Sequence, residues 1–120
     1  MPIRRGEVYF VDLEPVIGHE QGGRRPVVVV STNDVNQRSL AVVVVPETKT
    51  QRAADLFPPN VRVPAGEAGL RLHTVFLAFQ IRALDHSRFQ EPCRGTLSPA
   101  YLDQIERALL WTFDLPAPPP

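Results

Sequence analysis

Two runs of four consecutive valines, Val27–Val30 and Val42–Val45, constrain the fold of this chain more than any other feature. Short uninterrupted runs of β-branched residues between polar or proline-containing segments are typical of fully buried strands. Because exposed strands of this composition aggregate, we expect both runs to lie in the middle of one sheet, as neighbours. The chain is therefore predicted to be built around a β core.

Weaker patterns predict the remaining strands and the turns between them. Mixed apolar and polar positions indicate a first strand at 7–13, with one face buried. A hydroxyl at Ser31 or Thr32 can cap a helical turn over 34–38. Later segments predict an irregular loop at 47–60 ending in a short strand at 60–63, a long β run at 73–84 and an edge strand at 89–96.

One helix is expected after Ser98-Pro99, because serine is a preferred N-cap and proline suits the first helical position. Leu97 and Leu102 stand at the two positions of a hydrophobic staple. The apolar stripe predicted to pack this helix on the sheet comprises Leu102, Ile105 and Leu109, widened by Trp111 and Phe113. The predicted fold class is mainly β (α+β), a single domain at 1–115 with a proline-rich, disordered tail at 116–120.

Composition excludes some classes of protein. The formal net charge is zero, so any contact with nucleic acid must be local. Of the 13 basic residues, 12 are arginine, whose planar fork of donors matches phosphate oxygens, although codon bias also explains this ratio. The single cysteine, Cys93, and the absence of an apolar N-terminal run predict a cytoplasmic protein with no membrane span. His19-Glu20 lacks a second histidine at the spacing of a zinc site, so no metal is expected.

The polar loop 18–26 leads directly into the first valine run and is the candidate functional segment. Its Gly22-Gly23 pair lets a ligand approach the backbone, and its arginines can bind an anion. Arg25 precedes one buried strand, and Thr48 and Thr50 follow the other. In antiparallel neighbours, the start of one strand lies beside the end of the next, so a guanidinium and a hydroxyl would meet. Two alternatives stay open: a surface ion pair of Arg25 with a glutamate (Glu20 or Glu47), and loop threonines bonded to their own backbone.

These segments resemble the MazF/PemK family of toxin endoribonucleases. The resemblance rests on Arg5–Pro15, on Gly18–Val30 and on three shorter matches at 33–34, 44–48 and 80–85. It implies a small SH3-like β-barrel with a C-terminal helix. It also implies metal-independent cleavage of single-stranded RNA, in which the 2′-OH attacks its own phosphate and leaves a 2′,3′-cyclic phosphate and a 5′-OH.

The same resemblance implies roles for individual residues. The catalytic arginine corresponds to Arg25, the catalytic threonine to Thr48 and the loop glutamate to Glu20. Arginine is almost never deprotonated, so Glu20 or His19 is the expected base. The side chains expected to contact RNA are Arg24, Lys49, Thr50, Arg52, Phe79, Gln80 and Arg82.

The resemblance has one departure and leaves other functions open. PemK-type members carry a catalytic Arg and Asp where this chain has Leu77 and Phe79. Phe79 can therefore stack on a base or fill the core. The implied partners are a homodimer mate and a cognate antitoxin with an acidic, disordered segment, and no cofactor. A noncatalytic RNA-binding barrel and a gyrase-poisoning toxin on the same fold are the alternative functions.

Overall fold

The structure, a computed structural model, describes residues 2–20, 22–48 and 58–117. Two α-helices and seven strands lie within these ranges. The strands are β1 (Glu7–Asp12), β2 (Arg24–Val29), β3 (Ala41–Pro46), β4 (Asn60–Val63), β5 (Thr74–Leu77), β6 (Arg82–Asp85) and β7 (Gly95–Thr96). The helices are α1 (Asn33–Arg38) and α2 (Pro99–Thr112).

Both valine runs lie in the centre of a five-stranded antiparallel sheet, as predicted. The strand order is β6-β3-β2-β1-β7, so β2 and β3 are flanked on both sides. Val28 pairs with Val45 and packs towards α2, whereas Val29 pairs with Val44 and packs on the opposite face. All four are completely buried. Each such side chain contributes about 1.5–3 kcal/mol to folding, which makes this strand pair the rigid centre of the molecule.

The mainly antiparallel α+β class is confirmed, but the barrel takes an open form in the described residues. There, β4 and β5 form a separate two-stranded sheet. An isolated bridge between Glu47 and Phe76 joins this sheet to the end of β3. The two sheets therefore meet beside the point where β3 ends.

The predicted long β run at 73–84 is wrong. It is two strands, β5 and β6, separated by a 3₁₀ turn at Ala78–Gln80. β5 pairs with β4, whereas β6 pairs with β3. The turn is needed because the two halves of the run belong to different sheets.

Helix α2 begins where it was predicted, but its cap and its apolar face differ. Ser98 occupies the N-cap position, yet its side chain makes no capping hydrogen bond; instead its backbone N–H donates to Glu67 (2.6 Å). Ile105 faces the core, whereas Trp111 and Phe113 are 53% and 54% exposed. Trp111 is six residues, or about 1.7 turns, beyond Ile105 and therefore lies on another side of the helix.

The shorter predicted elements are mostly confirmed. Thr32 caps α1 by accepting a hydrogen bond from the backbone N–H of Val35. The strand at 60–63 is β4, and only two residues of the predicted edge strand, Gly95–Thr96, pair with β1. Most of the predicted loop at 47–60 lies outside the described residues, as does the end of the predicted tail.

Candidate active site

Strand pairing brings Arg25 and Thr48 to the same edge of the sheet. The β2–β3 register pairs Val27 with Pro46, and it continues outward because the backbone N–H of Glu47 donates to the carbonyl of Pro26 (3.1 Å). Arg25 and Thr48 are the next residues of the two segments beyond this hydrogen bond. The Thr48 N–H then donates to the carbonyl of Val75 (2.9 Å), which ties this edge to the second sheet. A guanidinium and a hydroxyl are thus held by backbone hydrogen bonds on rigid strands.

Arg25 is buried and has two partners. Its Nε donates to the carbonyl oxygen of Gly22 (2.6 Å), and its guanidinium lies 3.5 Å from a carboxylate oxygen of Glu47. The side chain of Arg25 is 4% exposed and that of Glu47 is 20% exposed. Arg25 does form an ion pair with Glu47, as one of the alternatives predicted. That alternative placed the pair at the surface, which is wrong because Arg25 is buried. Two fixed contacts leave the guanidinium with a defined orientation.

The sequence offered Glu47 only as a possible ion-pair partner of Arg25, and not as a site residue in its own right. It lies between Pro46 and Thr48, and its backbone is bonded to β2 on one side and bridged to β5 on the other. Burial raises the pKa of its carboxyl, and the nearby charge of Arg25 opposes this increase. Only its position in the Val-Val-Pro-x-Thr run, directly before the candidate threonine, could have drawn attention to it.

Arg24 has a different environment from its neighbour Arg25. It forms two hydrogen bonds of 2.6 Å with the carboxylate of Glu91, and its guanidinium lies 4.4 Å from the centre of the Phe10 ring. Arg94 lies 4.7 Å from the same ring. Because side chains alternate along a strand, two adjacent arginines point to opposite faces. The structure therefore does not bring Arg24 and Arg25 into one patch.

A cavity opens beside Glu47. Its wall includes three arginines, one aromatic ring and the Glu47 carboxylate, together with Thr74. These lining side chains are Phe10, Arg24, Glu47, Arg71, Thr74 and Arg94. Apolar residues also line this cavity, and Arg24 and Arg94 cover the Phe10 ring. Its guanidiniums suit a nucleotide because they can bind phosphate.

His19 and Glu20 lie on a second surface, next to the turn between β5 and β6. The carbonyl oxygen of His19 accepts a hydrogen bond from Gln80 (3.3 Å), and the Glu20 carboxylate accepts one from the N–H of Ile17 (2.8 Å). In the described part of the chain, neither side chain hydrogen-bonds to Arg25. Glu20 instead lines a groove with Phe79 and Arg82.

Phe79 is exposed rather than part of the core. Its side chain is 42% exposed on the 3₁₀ turn, so of the two predicted roles only a surface role fits. Arg82 begins β6 opposite Val44, and it has no ion-pair partner among residues 2–20, 22–48 and 58–117. Three other predicted RNA contacts, Lys49, Thr50 and Arg52, lie outside the described residues.

Two further searches cover the same described ranges. No group of three His, Cys, Asp or Glu side chains is placed there to hold a metal ion. No helix there is both long and apolar enough to cross a membrane.

The fold and the site define a class of small α+β proteins in which a buried arginine and a hydroxyl share one sheet edge. The model of the family described as "PemK-like, MazF-like toxin of type II toxin-antitoxin system" matches residues 4–113. The chain therefore belongs to the MazF/PemK family of toxins.

Individual relatives agree with this assignment. The chain is 36% identical over 109 residues to Endoribonuclease EndoA of Bacillus subtilis, with 91% of this chain and 92% of the relative covered. Among solved structures, it is similar to MazF of Deinococcus radiodurans (TM-score 0.80, 25% identity, 96% and 99% of the two chains). It also resembles a mycobacterial endoribonuclease in complex with its cognate antitoxin (TM-score 0.75, 26% identity, 98% of each chain). This toxin is thus homologous to endoribonucleases.

Proposed function

We propose that the protein is a sequence-specific endoribonuclease that cleaves single-stranded RNA without a metal ion. The 2′-OH attacks the adjacent phosphate, and the products are a 2′,3′-cyclic phosphate and a 5′-OH end. The observation that carries this proposal is that Arg25 in β2 and Thr48, two residues beyond β3, lie at the same end of this antiparallel strand pair. The relatedness to endoribonucleases supports it.

Arg25 and Thr48 supply the charge and the hydrogen bond that this reaction needs. The phosphate gains negative charge as the 2′ oxygen attacks, and a fixed guanidinium stabilises that charge without reorganisation. The hydroxyl of Thr48 donates a hydrogen bond to a nonbridging phosphate oxygen. Because the charge is already supplied by Arg25, the proposed reaction does not depend on a metal ion.

The reaction also needs a base, which Arg25 cannot be because its guanidinium stays protonated. Glu20 and His19 are the candidates from the sequence. Both lie in the loop that precedes Gly22, whose carbonyl binds Arg25. Imidazole has the pKa best suited to proton transfer near neutral pH.

RNA is proposed to extend from this centre along two surfaces. Phe79, Gln80 and Arg82 offer an exposed ring, an amide and a cation beside the 18–20 loop. Arg24 borders the cavity next to Glu47. Together with Lys49, Thr50 and Arg52, these side chains would read the bases and bind the phosphates on either side of the cut.

Two protein partners follow from the family. A cognate antitoxin would place an acidic, disordered segment across the arginines and fold there, as charge complementarity favours. A second copy of the chain would form a homodimer and cover apolar side chains now exposed near the end of α2, such as Trp111, Phe113 and Leu115. We place this assembly in the cytoplasm, where its RNA substrates are.

The test is to incubate the purified protein with a long unstructured RNA in excess EDTA and to map the ends. Discrete cuts with 5′-OH ends are expected from the parent, and far slower cutting at the same sites from a folded Arg25→Lys variant. Gln90→Asn, a conservative change outside the proposed site, is the control for handling and purity. Intact RNA after incubation with folded parent protein would overturn the proposal.

A further inference from the structure

We propose that Glu47 is the general base that removes the proton from the attacking 2′-OH. This inference rests on the proposed RNA cleavage and adds a catalytic residue to it. Glu47 immediately precedes Thr48, and its carboxylate lies 3.5 Å from the guanidinium of Arg25. The phosphate held by Arg25 and Thr48 would therefore bring its neighbouring 2′-OH to this carboxylate.

The backbone of Glu47 is fixed on both sides. Its N–H donates to Pro26 in β2 (3.1 Å), and the residue is bridged to Phe76 in β5. A base on two paired strands keeps its distance to the reacting phosphate, which is the condition for efficient proton transfer.

Glu47 is also the accessible member of its ion pair. Its side chain is 20% exposed, against 4% for Arg25, and it forms part of the wall of the cavity that Phe10 and Arg71 also line. A nucleotide that enters this cavity meets the carboxylate directly. Arg25 does not line this cavity and is reached through its ion pair with Glu47.

Several charged groups surround Glu47. Arg25 faces it from β2, and three more arginines, Arg24, Arg71 and Arg94, line the same cavity. Burial raises the pKa of Glu47, and the charge of Arg25 acts against this increase. A carboxylate with a raised pKa accepts a proton more readily than an ordinary glutamate.

The proton and electron balance is complete with groups that are present. Glu47 takes the proton of the 2′-OH, the 2′ oxygen forms a bond to phosphorus, and the bond from phosphorus to the 5′ oxygen breaks. The departing 5′ oxygen, paired with Arg25, takes a proton from water. Glu47 then gives its proton to the resulting hydroxide and returns to the ionised state.

The experiment compares the parent with Glu47→Gln, which keeps the side-chain shape and an oxygen acceptor for Arg25 but cannot take a proton. Single-turnover cleavage is measured from pH 5 to 9 in EDTA, and affinity is measured with a 2′-O-methyl RNA that cannot react. We expect Glu47→Gln to lower the cleavage rate constant by about 10²–10⁴-fold, while its affinity for the unreactive RNA stays within about threefold of the parent's. The parent's rate should decrease towards acid pH, and the variant's rate should not. Glu106→Gln on α2 is the matched control and should behave as the parent.

Three results would overturn the inference. One is a Glu47→Gln variant that cleaves at the parental rate with an unchanged pH profile. Another is a loss of affinity as large as the loss of rate, which would make Glu47 a positioning residue for Arg25. The third is a His19→Asn or Glu20→Gln variant that loses the decrease in cleavage rate towards acid pH, while Glu47→Gln keeps it.

A second variant covers the case in which Glu47→Gln does not fold. Glu47→Asp keeps a carboxylate but moves it, so its rate should fall and its acid dependence should shift to a different pH. An acid dependence identical to that of the parent would contradict the role of Glu47. Failure of the parent itself to cut RNA would instead refute the proposed function, so the two failures are distinguishable.

Discussion

Arg24 and Glu91 are joined by two hydrogen bonds of 2.6 Å each, although Arg25, the next residue, is bonded to Gly22 and Glu47. Two adjacent arginines thus face different carboxylates. The first pair is largely exposed, and the second is largely buried. We therefore expect Arg25 to contribute mainly to the cleavage rate and Arg24 mainly to RNA binding.

The same substitution at the two positions tests this separation. Arg25→Lys keeps the charge but loses the planar fork, so we expect the cleavage rate to fall by about 10²–10³-fold. Arg24→Lys should weaken RNA binding only a few-fold and leave the single-turnover rate at saturation unchanged, because exposed ion pairs contribute at most about 1 kcal/mol. Equal losses of rate in both variants would contradict the assignment.

Thr48→Val removes the hydroxyl and keeps the shape of the side chain. If the hydroxyl bonds a phosphate oxygen in the transition state, the rate constant should fall by about 10²-fold while affinity for unreactive RNA changes little. Thr48→Ser should recover part of the activity. The thermal midpoints of all three proteins show whether loss of rate has a folding cause, and an active Thr48→Val variant would exclude the proposed role.

Gly69 is predicted to be intolerant of a side chain. A Cβ there would lie 2.1 Å from the carbonyl oxygen of Arg94, and its φ is +72°. Gly66 has a φ of +97° but open space around it, so Gly66→Ala measures the backbone strain alone, about 1–2 kcal/mol. Gly69→Ala should cost at least about 1–3 kcal/mol more, from overpacking. The denaturant midpoints of Gly69→Ala and Gly66→Ala measure this difference. Equal midpoints would contradict the prediction and show that the segments around Gly69 and Arg94 separate without cost.

Tyr9 should ionise only at strongly alkaline pH. Burial raises its pKa, and the hydrogen bond from its hydroxyl to Glu7 (2.7 Å) raises it further. Because the folded pKa exceeds the unfolded value of about 10, the stability linked to Tyr9 is present below pH 10 and is lost as pH rises above it. In an absorbance titration of the tyrosines, the Tyr9 phenolate should appear only when the protein unfolds at alkaline pH. Tyr9→Phe should remove that late signal; its persistence would assign it to another residue.

The centre of the fold could be predicted from the sequence. The valine runs require buried neighbouring strands, and antiparallel pairing then sets the start of one beside the end of the other. Hydrophobicity could not show that the segment from Thr74 to Asp85 changes sheets, since both halves are apolar. The pairing of β5 with β4 and of β6 with β3 depends on which strands lie next to each half in the folded protein.

The environment of the charged residues was the least predictable part. The sequence shows that Arg25 is cationic, but not that the carbonyl of Gly22 and the carboxylate of Glu47 converge on it. Those contacts arise from the fold of the 22–25 segment and its packing against Glu47. The roles of Glu20 and His19 remain predictions, because what the structure shows is their position beside Gln80.

Arg25 and Thr48 lie at the same end of two buried strands that a ladder of hydrogen bonds joins. The segment that precedes Gly22 lies outside the β2–β3 ladder. In the proposed endoribonuclease, the sequence of that segment can therefore change while the strand pair that carries Arg25 stays the same. A proposed antitoxin that covers this surface would have to change with it.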